Sequence, residues 1–337
     1  MIPTAPSSSR AVWPGLLARR ALQAVALMLI IGVLCFLMIR ALPGDMAMRI
    51  AAGRYGFDLV GSGAADTVRA ELGSRLAGPE ALLGWLGDLL RLDLGESLVT
   101  GTPVWDEISH QLGATLRLSG AALAAGTLIG LPLGILCGLR PGRLADRWVQ
   151  TVAMLLRATP SFLLAVLLML GVAVHLGVLP VAGDGAEGSL LLPGLTLGLG
   201  LAAGLARVLR NSLADVTRSP AWEFALTKGL GIRQALLPHG LRNAAVPVLA
   251  WLGMQAVFLV EGTVVIETLF AWPGIGHALV HAIFARDVPM IQGTALCIGL
   301  LFVAFNTLTD ALCLLIDPRQ RLAAPASGGA GSSHARA

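Results

Sequence analysis

Six runs of apolar residues, each near the length that crosses a bilayer, limit what this chain can fold into. A hydrocarbon core about 30 Å thick is crossed by about 20 apolar helical residues. The runs are Ala21 to Ile39, Leu118 to Leu139, Thr159 to Leu179 after a lead-in from Trp148 to Arg157, Leu190 to Ala206, Ala244 to Ile266, and Ile291 to Ile316. Lipid offers no hydrogen bonds, so each crossing must satisfy its own backbone, which a helix does. The expected fold is an all-α integral membrane protein with six transmembrane helices. Composition agrees: 55% of residues are hydrophobic, 13% are charged, and the mean hydropathy is +0.77, which sets the chain apart from soluble domains of its length. The fourth run is the shortest and carries Pro193 and several glycines, which a bundle interior tolerates. A helix from Trp148 to Val178 would be about 46 Å long, more than a bilayer needs, so Arg157 is expected at the cytoplasmic interface, with Pro160 kinking the helix near there.

The first run follows Arg19 and Arg20, as a secretory signal would, but it exceeds the usual signal core of about 7–15 residues and no A-x-A-like cleavage site follows. It is read as a retained span. Cys35, Cys137, Cys297 and Cys313 all fall inside spans, which suggests packing and neither a disulfide framework nor a C-x-x-C metal site. Cytoplasmic loops hold the excess of Lys and Arg. Here Arg140, Arg143 and Arg147 join spans 2 and 3, while Arg207, Arg210, Arg218, Lys228, Arg233 and Arg242 lie between spans 4 and 5. Arg10, Arg19 and Arg20 precede span 1, and Arg319 and Arg321 follow span 6. The opposite connections hold Asp184, Glu187, Glu267 and Asp287 against Arg286. Both termini are therefore expected in the cytoplasm. The organisation is a cytoplasmic N-terminus (1–20), a first span (21–40), an extracytoplasmic segment (43–111), a five-helix core (112–316) with a cytoplasmic loop at 211–243, and a cytoplasmic tail (317–337) ending in disorder. "AAGRYGFDLVGSGAAD" in the outside segment reads as a surface loop, whereas its last part, up to "SHQLGATLRL", leads a helix into span 2.

The cytoplasmic loop contains "EFALTKGLGIRQALLPHGLRN", from Glu223 to Asn243, a polar and basic interruption of the apolar pattern. Ser219-Pro220 is a helix start, with Ser at the cap and Pro in the first turn. Glu223 suits the positive end of that helix. Gly229 is a natural stop, because glycine enters the left-handed conformation cheaply. A second short helix runs from Ile232 until Pro238 disturbs it. The expected product is a helix–turn–helix knob with Phe224, Ala225 and Lys228 on one face, shaped to dock in a partner's groove.

"EFALTKG" resembles the EAA-x-x-x-G cytoplasmic signature of permease subunits in binding-protein-dependent ABC importers, with Glu223, Ala225 and Gly229 in register and Phe224 in place of the first Ala. Further stretches resemble the dipeptide, oligopeptide and nickel branch: "RALPGD", "LGESLVTGTPV", "ATPSF", "LGVLPVAG", "HGLRNAAVPV", "VVIETLFAWPGIG", "RDVPMIQG", "FNTLTD" and "LIDPR". The series covers nearly the whole chain, from about Arg19 to Arg321. Two departures are "HGLR" where the signature continues to I-x-L-P, and Pro238 where a helix-compatible residue is expected. The resemblance implies that Glu223, Phe224, Ala225, Lys228, Gly229, Leu230 and Gly231 contact cytoplasmic ATPases. It also implies a second homologous permease, two ATPase subunits carrying ATP and Mg, and an extracytoplasmic binding protein that selects the cargo. That cargo is a peptide, or else a nickel chelate, opine or sugar. The chain has no G-x-x-x-x-G-K-[ST] phosphate loop, so it is read as a transport subunit with no catalytic residues or cofactor of its own, and no nucleic-acid partner is expected.

Charges inside spans are costly and face a cavity or a partner. Glu261 in span 5 lines the translocation path or lies near the outer surface. Phe302, Asn306 and Asp310 share one face of span 6. That mixed face favours a structural role for Asn306 and Asp310 through interhelical hydrogen bonds, with a place on the path as the alternative. A secondary transporter using Glu261 and Asp310 as ion sites is the rival, and it leaves the cytoplasmic knob unexplained. An intramembrane hydrolase lacks a nucleophile and base pair. His277 and His281, spaced i and i+4, suit a metal but lack a third ligand. Gly194-x-x-x-Gly198 and Gly200-x-x-x-Gly204 allow close helix contact, and "FAWPGIG", Phe270 to Gly276, resembles the family's outside turn between spans 5 and 6, a resemblance that implies a short helix dipping back towards the pore.

Overall fold

The computed structural model describes residues 12–41, 44–56, 61–72, 79–91, 93–183, 185 and 188–316. The expected tail at 317–337, as well as Arg10, Asp184 and Glu187, lies outside the described residues. Helix α1 runs Val12–Ala41, and three short helices follow: α2 (Met46–Tyr55), α3 (Ser62–Leu72) and α4 (Pro79–Leu90). Then come α5 (Val104–Leu139), α6 (Leu144–Ala158), α7 (Ser161–Leu168) running into a π-helical turn at Met169–His175, and α8 (Leu191–Thr217). The remainder is α9 (Pro220–Thr227), α10 (Ile232–Ala235) with a π-helical turn at Leu236–Leu241, α11 (Arg242–Leu269), α12 (Ile275–Ala285) and α13 (Val288–Ile316). Among the described residues the only β-pairing is an isolated bridge between Glu96 and Pro103.

The centre of the bundle is α5 against α8. Gly126, Gly130, Gly134 and Gly138 recur every fourth residue, which sets them on one face of α5. A Cβ added at Gly130 would stand 2.9 Å from the Ala202 carbonyl oxygen, one at Gly134 2.9 Å from Leu209 Cβ, and one at Gly138 2.9 Å from Leu213 Cβ. From the other side, a Cβ at Gly194 or Gly198 would come within 3.0 or 2.7 Å of Ala121 or Ala125 Cβ. Between helices in lipid there is little hydrophobic drive, so close packing of small residues replaces it. Gly204 meets Trp251 and Arg157, whereas Gly200 faces open space. Leu201, Leu205 and Leu209 of α8 also pack with Ala244, Val248 and Leu259 of α11.

Among the described residues, four helices are long and apolar enough to span a membrane: α1, α5, α8 and α13. The pair α6 and α7 makes a fifth if it is taken as one broken span, bent by 104° at Thr159 and Pro160. The expected fifth span falls in α11, 28 residues long, where several side chains around Glu261 lie outside what the structure describes. Proline at 160 cannot continue α6, because it lacks an N–H and clashes with the preceding turn, and Thr159 before it is extended, with φ −82° and ψ 123°. The fourth span is longer than expected: α8 runs eleven residues past Ala206 to Thr217. Its extension is held by Leu213 against Gly138 and by Arg210, whose Nη2 donates to Asp146 Oδ2 of α6 at 2.7 Å.

The outer segment is not the surface loop expected from "AAGRYGFDLVGSGAAD", which includes the end of α2 and the start of α3. Asp45 caps α2 by accepting from Ala47 N at 2.9 Å, and Ala47, Ile50, Ala51 and Val68 make a small core of their own. The segment is fastened to the bundle through Asp287 at the start of α13. That buried carboxylate accepts from Ser97 Oγ, Leu98 N (3.1 Å), Val99 N (3.3 Å) and Met290 N (3.3 Å).

Candidate functional site

The knob between α8 and α11 forms as its punctuation dictates. Ser219 caps α9, its Oγ accepting from Trp222 N at 3.4 Å, and Pro220 is the first helical residue. Gly229 ends the helix with φ +85°, Gly229 N donating to Leu226 O at 2.9 Å and Leu230 N to Ala225 O at 3.3 Å. The chain re-enters helix at α10 and widens into the π-helical turn that contains Pro238 and joins α11. Trp222, Ala225 and Ala235 form the knob's interior, with Val216, Leu230 and Leu236 against them. Ala225 is therefore not on the outer face with Phe224 and Lys228. The reason is geometric: Ala225 and Trp222 are three apart and turn inward together. The outer face holds Phe224, 61% exposed, with the Lys228 ammonium 4.5 Å above its ring, beside exposed Glu223, Gly229 and Gly231. Such a face offers an aromatic body, a cation and an anion.

On the opposite side, the turn after α11 is organised by Glu267, whose side chain is fully buried. Its carboxylate accepts from Thr115 Oγ1 (2.6 Å), Gly276 N (3.0 Å) and His277 N (3.1 Å), and Thr115 Oγ1 accepts from Ile275 N (2.8 Å). The first three N–H groups of α12, which have no partner within the helix, are thus all satisfied by α5 and α11. A Cβ at Gly274 would fall on this carboxyl, so the glycine makes room for it. Trp272 Nε1 donates to Ala114 O at 2.9 Å, a second tie to α5. Sequence reasoning counted Glu267 only as a loop acid. Its signal was Gly274 and Gly276 following within ten residues.

His277 and His281 stack edge to face, with centroids 4.5 Å apart, and line a cavity of about 510 Å³ with Glu107, Gln111 and Asp287. Desolvation, and then the neighbouring His281, push the His277 imidazole below its ordinary range against the pull of Glu267. Among the described residues no three His, Cys, Asp or Glu side chains are placed to hold a metal.

Of the intramembrane candidates, Asp310 of α13 is ion-paired with Arg20 of α1, and Arg20 Nη1 also donates to Gln23 Oε1 at 2.8 Å. Asn306 Nδ2 donates to Phe302 O of its own helix at 2.9 Å, a local bond where an interhelical one was expected. Glu261 lies in α11, and its side chain is outside what the structure describes. The structure brings the knob residues together and leaves Asn306 and Asp310 remote from them, on α13.

Residues 130–322 match the family described as the binding-protein-dependent transport system inner membrane component. A peptide transport system permease protein of Brucella abortus (strain 2308) is 38% identical over 318 residues, covering 91% of this chain and 98% of the relative. The glutathione transport system permease protein of Escherichia coli (strain K12) is 34% identical over 303 residues, covering 90% and 97%. In fold the chain is similar to the inward-facing MetNI methionine ABC transporter, with TM-score 0.53 at 20% identity over 63% of this chain and 96% of that one. With the helical bundle, its spans and these likenesses together, the chain belongs to the binding-protein-dependent transport system inner membrane component family, the permeases of ABC importers.

Proposed function

We propose that this chain is the permease subunit that forms the translocation path for peptides or a related small solute, and that cytoplasmic ATPases drive it through the knob at Glu223 to Gly231. The observation that carries the reading is the exposed pair of Phe224 and Lys228 beside Glu223, held on a compact turn by Gly229 at φ +85°. An aromatic side chain 61% exposed on a well-packed knob is a docking feature that a merely solvated loop does not need. ATP and Mg belong to two ATPase subunits, cargo arrives on an extracytoplasmic binding protein, and a second homologous permease completes the path. Peptide cargo is supported by the names of the relatives. The meeting of Arg20, early in α1, with Asp310, late in α13, supports both termini on one side of the membrane, and the basic loops favour the cytoplasm. The same ion pair disfavours Asp310 as a free ion site in a secondary transporter.

The test is Gly229→Val. A side chain at this left-handed position is strained by about 1–2 kcal/mol, and the larger consequence is misplacement of Phe224 and Lys228. Insertion and permease pairing should persist, while uptake is lost and the ATPases dissociate on purification. Glu223→Lys, which places a cation at the N-terminal end of α9, should act in the same direction. Uptake at the unaltered rate with ATPases retained in both variants would refute the coupling role.

A further inference from the structure

The broken span leaves a cavity of about 250 Å³ between α6, α7, α8 and α11. Most of its wall is apolar, including Leu197, Leu201 and Phe258; of its five polar side chains, Thr159 and Thr196 donate to carbonyls of their own helices, and three others remain. They are Arg157 from the last turn of α6, Ser161 from the first position of α7 and Gln255 from the middle of α11. Among the described residues none of these three side chains has a hydrogen-bond or ion-pair partner. Gly200 of α8 borders the same space with nothing within 4 Å of where its Cβ would be. The Arg157 guanidinium stands over Gly204, its Nη1 2.7 Å from where a Cβ would be, inside the apolar part of α8 and one turn short of Arg207.

A guanidinium stays charged in proteins, and that of Arg157, exposed on the cavity wall with no partner among the described residues, is open to an anion. Ser161 and Gln255 are polar but uncharged, so no described residue of the lining supplies a counter-charge and an anion entering the cavity would. The backbone has the same polarity. The earliest bonds of α7 run from Leu163 N and Leu164 N to Pro160 O, at 3.0 and 3.1 Å, so the N–H groups before them lie at the free, positive end of a half-helix. Half-helix N-termini at membrane depth are a known way to hold the anionic group of a transported solute. A carboxylate matches the planar fork of arginine, with the Gln255 amide and the Ser161 hydroxyl as further donors.

We propose that Arg157, Ser161 and Gln255 form a carboxylate-binding subsite on the translocation path, which takes the C-terminal carboxylate of a peptide cargo. The assignment of cargo rests on the permease reading above, and the test separates the two. The assembled transporter, with its partner subunits in proteoliposomes, is given a short peptide as the free acid and as the C-terminal amide. Arg157→Gln should slow uptake of the acid about ten- to hundredfold, the worth of a charge-assisted hydrogen bond, and leave the amide within about twofold. Arg157→Lys should keep most of the acid uptake.

The second measurement does not depend on transport. In Ser161→Cys, the acid and not the amide should protect the introduced thiol from a small thiol reagent, and adding Arg157→Gln should abolish that protection. An equal loss of acid and amide uptake, with the thiol unprotected by either, would overturn the subsite and assign Arg157 to an acid of the second permease or to a lipid phosphate. If the unaltered transporter moves neither peptide, the peptide reading falls on its own. The thiol assay, run then with acetate against chloride, still decides the subsite: protection by acetate alone upholds it and no protection overturns it.

Discussion

Glu267 illustrates how one side chain organises the outer end of the bundle. It closes the N-terminus of α12 on a framework supplied by Thr115 and by its own helix. Buried donors left without an acceptor cost the full desolvation of each group. Glu267→Ala, which orphans two backbone N–H groups and the Thr115 hydroxyl, should therefore lower stability by about 3–5 kcal/mol, and Glu267→Gln by about 1–3 kcal/mol, in denaturant titrations of the purified protein. His277 gives the pH dependence. Its folded-state pKa lies below the unfolded one, so its contribution is fully present above the unfolded value of about 6.5 and is lost as pH falls through the folded one. The hydrogen-exchange protection factors of α12, corrected for the intrinsic pH dependence of exchange, should fall below about pH 6.5 in the unaltered protein, and His277→Gln should flatten that response. Neither role could be read from residue type alone, since a loop acid and a pair of outer histidines look the same whether solvated or buried.

At the scale of elements, α5 and α8 approach through glycine. The four-residue period of Gly126, Gly130, Gly134 and Gly138 stands in the sequence as it does in the structure, but its partner face on α8 does not. The Gly194 and Gly198 pair was legible and packs as expected, whereas Gly200, read with it, faces a cavity. This contrast makes a prediction with its own control. Gly130→Ala puts a methyl group 2.9 Å from a backbone oxygen and should cost about 1–3 kcal/mol by forcing the helices apart. Gly200→Ala meets nothing and should be neutral, or stabilise by about 0.5–1 kcal/mol through helix propensity. Thermal aggregation midpoints in detergent separate the two outcomes. The break between α6 and α7 was legible as Pro160, but its 104° bend was not, because proline ends a helix without specifying where the next one goes.

For the whole molecule, α1 lies along α13, and the two ends of the bundle meet at Arg20 and Asp310. In a background lacking the native cysteines, a cysteine introduced at Gly185 should react with an impermeant reagent added outside, and one at Gly231 only from inside. Reversed labelling would invert the orientation and remove the knob from the ATPase side. The outer segment is fixed to the bundle by Asp287, which joins residues about 190 positions apart in the chain. Asp287→Asn should therefore increase proteolysis at 93–103 without dissociating the spans.

Local chemistry was enough for the apolar runs, the Ser219 cap, the Gly229 stop, the Pro160 break and the motif series that resembles the family, because each depends on neighbours in sequence or on the solvent the segment must match. The inward turn of Ala225, the burial of Glu267, the pairing of Arg20 with Asp310 and the meeting of Arg157, Ser161 and Gln255 depended on which helices become neighbours. Those partners are separated by three to 290 positions, and a side chain's periodicity states which face it occupies but not what that face meets. The tertiary structure supplied the second half of each contact, and with it the difference between a charge that is satisfied within the chain and one that awaits a ligand.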